Sequence, residues 1–199
     1  MGRDKALLPL GPQTFLERIA EALLGEVAPL VIVVGYHAAE IEAQIEAKIP
    51  APFQARVLHN PDYKLGQLSS LWVALRALEN DPVSAALVCL VDHPAISKQV
   101  VRALLERFRQ TGAPVVIPTH HGRRGHPVLL ARSLFPELLA APLEQGARAV
   151  VQRHAPEVEL VETDDEGVLL DIDRPEDYER LRERWAALSR AGRPHGEPA

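Results

Sequence analysis

The sequence predicts a three-layer α/β fold with a mostly parallel, mixed central sheet, and two observations carry that prediction. Apolar runs of strand length recur along the 199 residues, several of them apolar on consecutive positions, as in strands covered on both faces. Stretches with helical spacing fill the intervals, and strand alternating with helix implies right-handed crossovers onto one sheet.

Taken in order, MGRDKALLPL opens the chain with charged residues and then an apolar LLPL, with no strand ahead of it. Thr14 and Glu17 form a capping box, after which Phe15, Leu16, Ile19, Leu23 and Leu24 line one helix face. PLVIVVG (29–35) reads as a strand, 38–48 as a helix, ARVLH (55–59) as a strand, 68–79 as a helix and AALVCLV (85–91) as a strand. Ser97 caps a helix in which Val100, Val101, Leu104, Leu105 and Phe108 recur at helical spacing. The strands APVVIP (113–118) and PVLLA (127–131) follow, then a short helix over 146–154, the strand VELVE (158–162) and a closing helix over 176–189. Residues 1–188 read as one domain, and the polar, Gly/Pro-rich ending as a frayed tail over 189–199.

Composition narrows the function. Hydrophobic residues make up 47% and charged residues 25%, an ordinary globular balance. The net charge of −5 comes with basic residues scattered among acidic ones, which speaks against nucleic acid as a partner. The apolar runs are strand-sized, short of the roughly 20 residues that cross a bilayer, and no secretory segment is visible. Gly2 suggests myristoylation, but Ala6 stands where Ser or Thr is needed. The single cysteine, Cys89, reads as a small buried hydrophobe in a reducing, cytoplasmic setting.

In α/β sheets ligands bind beyond the carboxyl ends of the strands, and the polar residues gather there. Asp92 follows an apolar strand and is placed either to hold Mg²⁺, a hard cation that takes oxygen ligands, or to order the turn before Pro94. Asp171 and Asp173 suit a second metal ligand. Asp173 with Glu176 and Pro175 equally reads as a capping box. Gly35 and Asn60 end strands, and Gly66, Ser69 and Ser70 lead into a helix, as caps or as nucleotide contacts. Lys5 is a compact charge suited to phosphate. His120, His121, Gly122, Arg123, Arg124, Gly125 and His126 lack the ligand spacing of a zinc site, and a turn with arginines facing an anion fits them better.

The segments MGRDKALLPL, VIVVG, NPDYKLGQLSSL, VDHPAIS, GHPVLL, EQGARAVV and LLDIDRPEDY together resemble the molybdenum cofactor nucleotidyltransferases, closest to the cytidylyltransferase branch, over residues 1 to about 185. That resemblance implies a nucleotidyltransferase fold, Mg²⁺ and transfer of CMP from CTP to the phosphate of a molybdopterin, releasing pyrophosphate. Guanylyl or sugar-phosphate transfer is the alternative. An inactive cofactor-binding or chaperone protein, docking on a molybdenum hydroxylase, is the reading from another class. By the same resemblance Lys5, Asp92 and Asp173 carry the chemistry, with Asp92 and Asp173 at the metal. Gly66, Ser69 and Ser70 lie by the base and ribose, and Gly125 and His126 by the pterin. Arg148 reads either as a contact for the anionic acceptor or as one end of a salt bridge on a helix surface. His93 stands where the cytidylyltransferases usually have glutamine, and Arg174 where they usually have threonine. Family members begin with a strand and a phosphate-gripping loop whose Met-Gly corresponds to Met1-Gly2, so the resemblance leads us to expect about 20 further residues upstream, a strand and loop length.

Overall fold

The computed structural model describes residues 4–48 and 55–190. Met1 and Gly2, and positions 191–199 of the expected tail, lie outside the described residues. The elements are, in order, the strands β1 (Pro9–Leu10) and β2 (Gln13–Thr14), helix α1 (Phe15–Leu23), β3 (Val31–Val34), α2 (Ala38–Lys48), β4 (Arg56–His59), α3 (Gln67–Ala77), β5 (Ala85–Val88), α4 (Lys98–Thr111), β6 (Val115–His120), β7 (Arg123–Arg124), β8 (Val128–Ala131), α5 (Phe135–Ala140), α6 (Gly146–Arg153), β9 (Val158–Glu162) and α7 (Pro175–Arg190). Short 3₁₀ turns at Lys5–Leu7 and Glu166–Leu169 also matter below.

The fold is α/β, and among the described residues its ladders form a five-stranded mixed sheet of β5, β8, β6, β7 and β9, in which only the β6–β9 pairing is parallel, a separate parallel β3–β4 ladder and the β1–β2 hairpin, rather than one mostly parallel sheet. β3 pairs with β4 and β6 with β9 in parallel, whereas β8 runs antiparallel to both β5 and β6. The β6–β7 hairpin turns at His121 and Gly122, both at positive φ. The histidine and arginine cluster is thus a turn, as its sequence suggests. The β1–β2 ladder and α5 carry too little periodicity to be found from sequence, being two and six residues long.

Local signals decide where helices start. Both halves of the Thr14 box form: Thr14 N donates to Glu17 Oε2 at 2.5 Å and Glu17 N to Thr14 Oγ1 at 3.3 Å. Ser97 Oγ accepts from Val100 N. The expected Asp173–Glu176 box is replaced: Asp177 accepts the Arg174 N–H at 3.1 Å, and Asp173 is engaged elsewhere. α7 runs to Arg190, so 189 and 190 belong to the helix.

Apolar packing then brings distant segments together. Leu68, Leu75, Val115, Leu130, Leu138 and Val150 form one cluster, to which Trp72 ties α5 by donating to Leu138 O at 2.8 Å. A second cluster joins Leu8, Leu10, Phe15, Ala95, Ile172 and Leu181. It holds the first turn of the chain, the segment after β5 and the start of α7 against one another. β3 and β5 are not hydrogen-bonded to each other, and a largely apolar cavity of about 540 Å³ runs between them, lined by 30–35, 85–92 and residues of α1 and α3. Cys89 is in that wall, part-buried.

Candidate active site

The end of β5, the Lys5 turn and the segment before α7 meet at one place. Ile172 N donates to Asp92 O at 3.0 Å, and buried Ile172 anchors the Asp171–Asp173 segment in the second cluster. Asp4 caps the Lys5–Leu7 turn by accepting from Ala6 N, which fixes the direction in which Lys5 leaves the chain. Lys5 Nζ donates to Asp173 Oδ1 at 2.6 Å and lies 3.6 Å from Asp92 Oδ2.

Electrostatics here is a surplus of negative charge around one ammonium. Burial works against the Lys5 charge but is outweighed by the hydrogen bond to Asp173 and the charges of Asp92, Asp173 and Asp171, so its pKa is raised. The same hydrogen bond, then the Lys5 charge, holds Asp173 below the usual carboxylate range. Asp171 moves the other way: burial raises it, and the neighbouring Asp92 and Asp173 charges add to the effect. Asp92 Oδ1 is buried and without a hydrogen-bond partner.

Two histidines complete this wall. His93 is buried and its ring lies 4.8 Å from that of His126. Burial lowers the pKa of both, against the pull of Asp92, and His126 falls to about 4. Both are thus neutral near pH 7, and the Nδ1 atom of each is buried without a partner. Their approach depends on two glycines. A Cβ on Gly125 would sit 2.3 Å from Val168 O, and one on Gly167 would sit 2.3 Å from Ala95 O. Without side chains there, the 166–169 turn seats itself between the His126 loop and the His93 loop.

The ligand atoms that lie within 4.8 Å of one another come from Asp92, His93 and Asp171. The family resemblance pairs Asp92 with Asp173 at the metal, whereas in the structure the Asp173 carboxylate is hydrogen-bonded to Lys5. Alternation along Asp171-Ile172-Asp173 explains the division, since burying Ile172 sends its two neighbours to different partners. Among the described residues no such group includes His120 or His121. Exposed Arg148 lies on α6, which packs against α3 and α5.

The remaining candidates gather just after β3 and β4 and at the start of α3. Asn60 is buried, donating from Nδ2 to Ser69 Oγ and Ser70 Oγ, both at 2.9 Å, while its Oδ1 accepts from Asp62 N. Ser69 Oγ is also engaged with Gly66 O at 2.7 Å. Asn60 and Ser69 therefore lock the loop before α3, whereas Ser70, Gly35 and Asp92 line the cavity. Gly66 turns the chain at φ 99° ahead of α3. A Cβ on Gly35 would meet Tyr63 Cβ at 2.5 Å, so this glycine lets Tyr63 lie across the strand end. Exposed Tyr36 stands 6.1 Å from Tyr63, ring to ring. Sequence reasoning passed over this aromatic pair; the visible signal was a tyrosine directly after each of VVG and NPD.

Comparison with known proteins shows the family of the chain. The family description "MobA-like NTP transferase domain" matches residues 1–158. The molybdenum cofactor cytidylyltransferase of Escherichia coli K12 is 25% identical over 194 residues, covering 94% of this chain and 92% of that protein. A probable molybdenum cofactor guanylyltransferase of Mycobacterium bovis BCG is 34% identical over 120 residues, covering 59% of this chain and 55% of that one. Among solved structures, the homologue of Mycobacterium tuberculosis rv0371c from Mycobacterium sp. strain JC1 superposes with a TM-score of 0.75 at 26% identity, covering 94% and 91% of the two chains.

Proposed function

The chain belongs to the MobA-like NTP transferase family and is a nucleotidyltransferase, and we propose that it moves CMP from CTP to the terminal phosphate of a molybdopterin, with a divalent cation such as Mg²⁺. The observation that carries the reading is the Lys5, Asp92, Asp171 and Asp173 cluster at the carboxyl end of β5, beside a cavity mouth lined by Gly35, Tyr63 and Ser70.

The residues fit a cation. Asp92 Oδ1 is a buried acceptor without a donor, and Asp171 lies close enough to share an ion with it. A bound divalent ion would neutralise charge on the phosphates. The acceptor phosphate is already ionised, so one of its oxygens attacks the α-phosphorus directly. The bond from the α-phosphorus to the bridging oxygen breaks, and pyrophosphate leaves with the electron pair. No general base is needed, and positioning with charge stabilisation supplies the rate. Lys5 is placed to follow the departing charge, because its ammonium is already held at the site by Asp173. Ser70 and the Tyr36–Tyr63 pair offer a hydroxyl and ring faces to the nucleoside. Gly125 and His126 form the wall on the acceptor side.

The guanylyl alternative is favoured by the 34% identity to the mycobacterial protein over its matched region. Both are tested by measuring pyrophosphate release with molybdopterin and each of CTP and GTP. Asp92→Ala is expected to abolish transfer while the cooperative melt is kept. Full activity of that variant at saturating Mg²⁺ would refute the assignment.

A further inference from the structure

We infer that His93 supplies a nitrogen ligand to the cation, so that this site prefers a first-row transition-metal dication to Mg²⁺; the inference rests on the cation required by the reading above. His93 is 92% buried by the 8% exposure of the residue, and its Nδ1 has no hydrogen-bond partner. A buried polar atom in a native fold ordinarily has one. The preceding residue in the chain, Asp92, has the same deficit at Oδ1. One ligand atom each from Asp92, His93 and Asp171 lies within 4.8 Å of the others. Ligands at ~2.1 Å from one ion stand about 3 Å apart where adjacent and about 4.2 Å where opposite, so the three side chains have to draw in by up to about 2 Å to share it.

Charge agrees with this count. Asp92, Asp171 and Asp173 face one ammonium, that of Lys5, which leaves two negative charges for a dication. The donor set then decides which dication. Two carboxylates alone suit Mg²⁺, which takes oxygen ligands and sheds its waters reluctantly. A neutral imidazole adds a borderline nitrogen donor that first-row transition metals bind better than Mg²⁺ does. The ring of His126, tilted against that of His93 with centroids 4.8 Å apart, limits the orientations available to it.

The test uses the whole 199-residue chain with Mn²⁺ as the spectroscopic probe, alone and with CTP. Pulsed electron paramagnetic resonance is expected to show hyperfine coupling to a directly bound nitrogen. The coupling should change when the unsubstituted chain carries heavy-nitrogen histidine, a readout that needs no variant. His93→Gln should remove it and lower the Mn²⁺ to Mg²⁺ affinity ratio by about tenfold, while His126→Gln keeps the nitrogen signal. Mn²⁺ bound without nitrogen coupling would overturn the ligand role of His93 and leave the nucleotidyltransferase reading standing. No binding of Mn²⁺, with or without CTP, would overturn both.

Discussion

Replacing Gly125 with alanine tests whether close backbone packing assembles the wall of the site proposed to face the acceptor. The new Cβ would stand 2.3 Å from Val168 O and 2.8 Å from its carbonyl carbon, where ordinary contact begins at 3.4 Å, so a gap of about 1.1 Å has to open. The opposing turn has little room to retreat, because Val168 is fully buried and Gly167 is pressed against Ala95 O on the other side. Overpacking costs about 1–3 kcal/mol. Losing the His126 N to Val168 O bond, 2.9 Å long, adds about 1 kcal/mol. The sum, about 2–4 kcal/mol, lowers the melting midpoint of a chain this size by roughly 5–15 °C. Thermal melts by circular dichroism would measure it, with Gly122→Ala as the reference. There the Cβ meets nothing within 4 Å and φ is +73°, so only the left-handed backbone is penalised, at about 1–2 kcal/mol. A Gly125→Ala midpoint no lower than that of Gly122→Ala would refute the reasoning.

Acid should weaken the fold through His126. Its folded pKa, about 4, lies below the ordinary 6.5, so the unfolded chain binds the proton more readily. The contribution is complete above pH 6.5 and is lost as pH falls toward 4, amounting to about 2 kcal/mol after allowance for partial solvent contact. Urea unfolding of the chain and of His126→Asn across that range should diverge at neutral pH and converge at low pH; parallel curves would contradict the shift. The apolar cavity between β3 and β5 should bind an apolar dye such as anilinonaphthalene sulfonate in the folded state, with fluorescence lost when Leu87 on its wall becomes aspartate. A folded chain that leaves the dye dark would mean that the cavity closes in solution.

The sequence by itself determined the order in which the longer strands and helices alternate and where the helices capped by Thr14 and Ser97 begin. Those signals are short-range: a threonine and a glutamate three residues apart form a box, and four consecutive β-branched or apolar residues form a covered strand, wherever the chain later goes. It also brought Asp92 and the DID segment into view, because polar residues after apolar runs stand out locally, whereas Lys5 drew attention through the family resemblance. Only the tertiary structure decided which acid meets which partner. Lys5 and Asp173 are 168 positions apart, and they touch because Leu8 and Ile172 share one apolar cluster. Burial of Ile172 gave Asp173 to the lysine and left Asp171 beside Asp92 and His93, a division that the DID spelling cannot show. Asn60 and Ser69, legible as caps or as nucleotide contacts, spend their polar atoms on each other and on the loop. Gly125 proved to be a close-packing position against a strand-end turn 43 residues on. Side-chain pairing of this kind is set by how the core closes, which depends on contacts between segments distant in sequence rather than on the residues that flank each one.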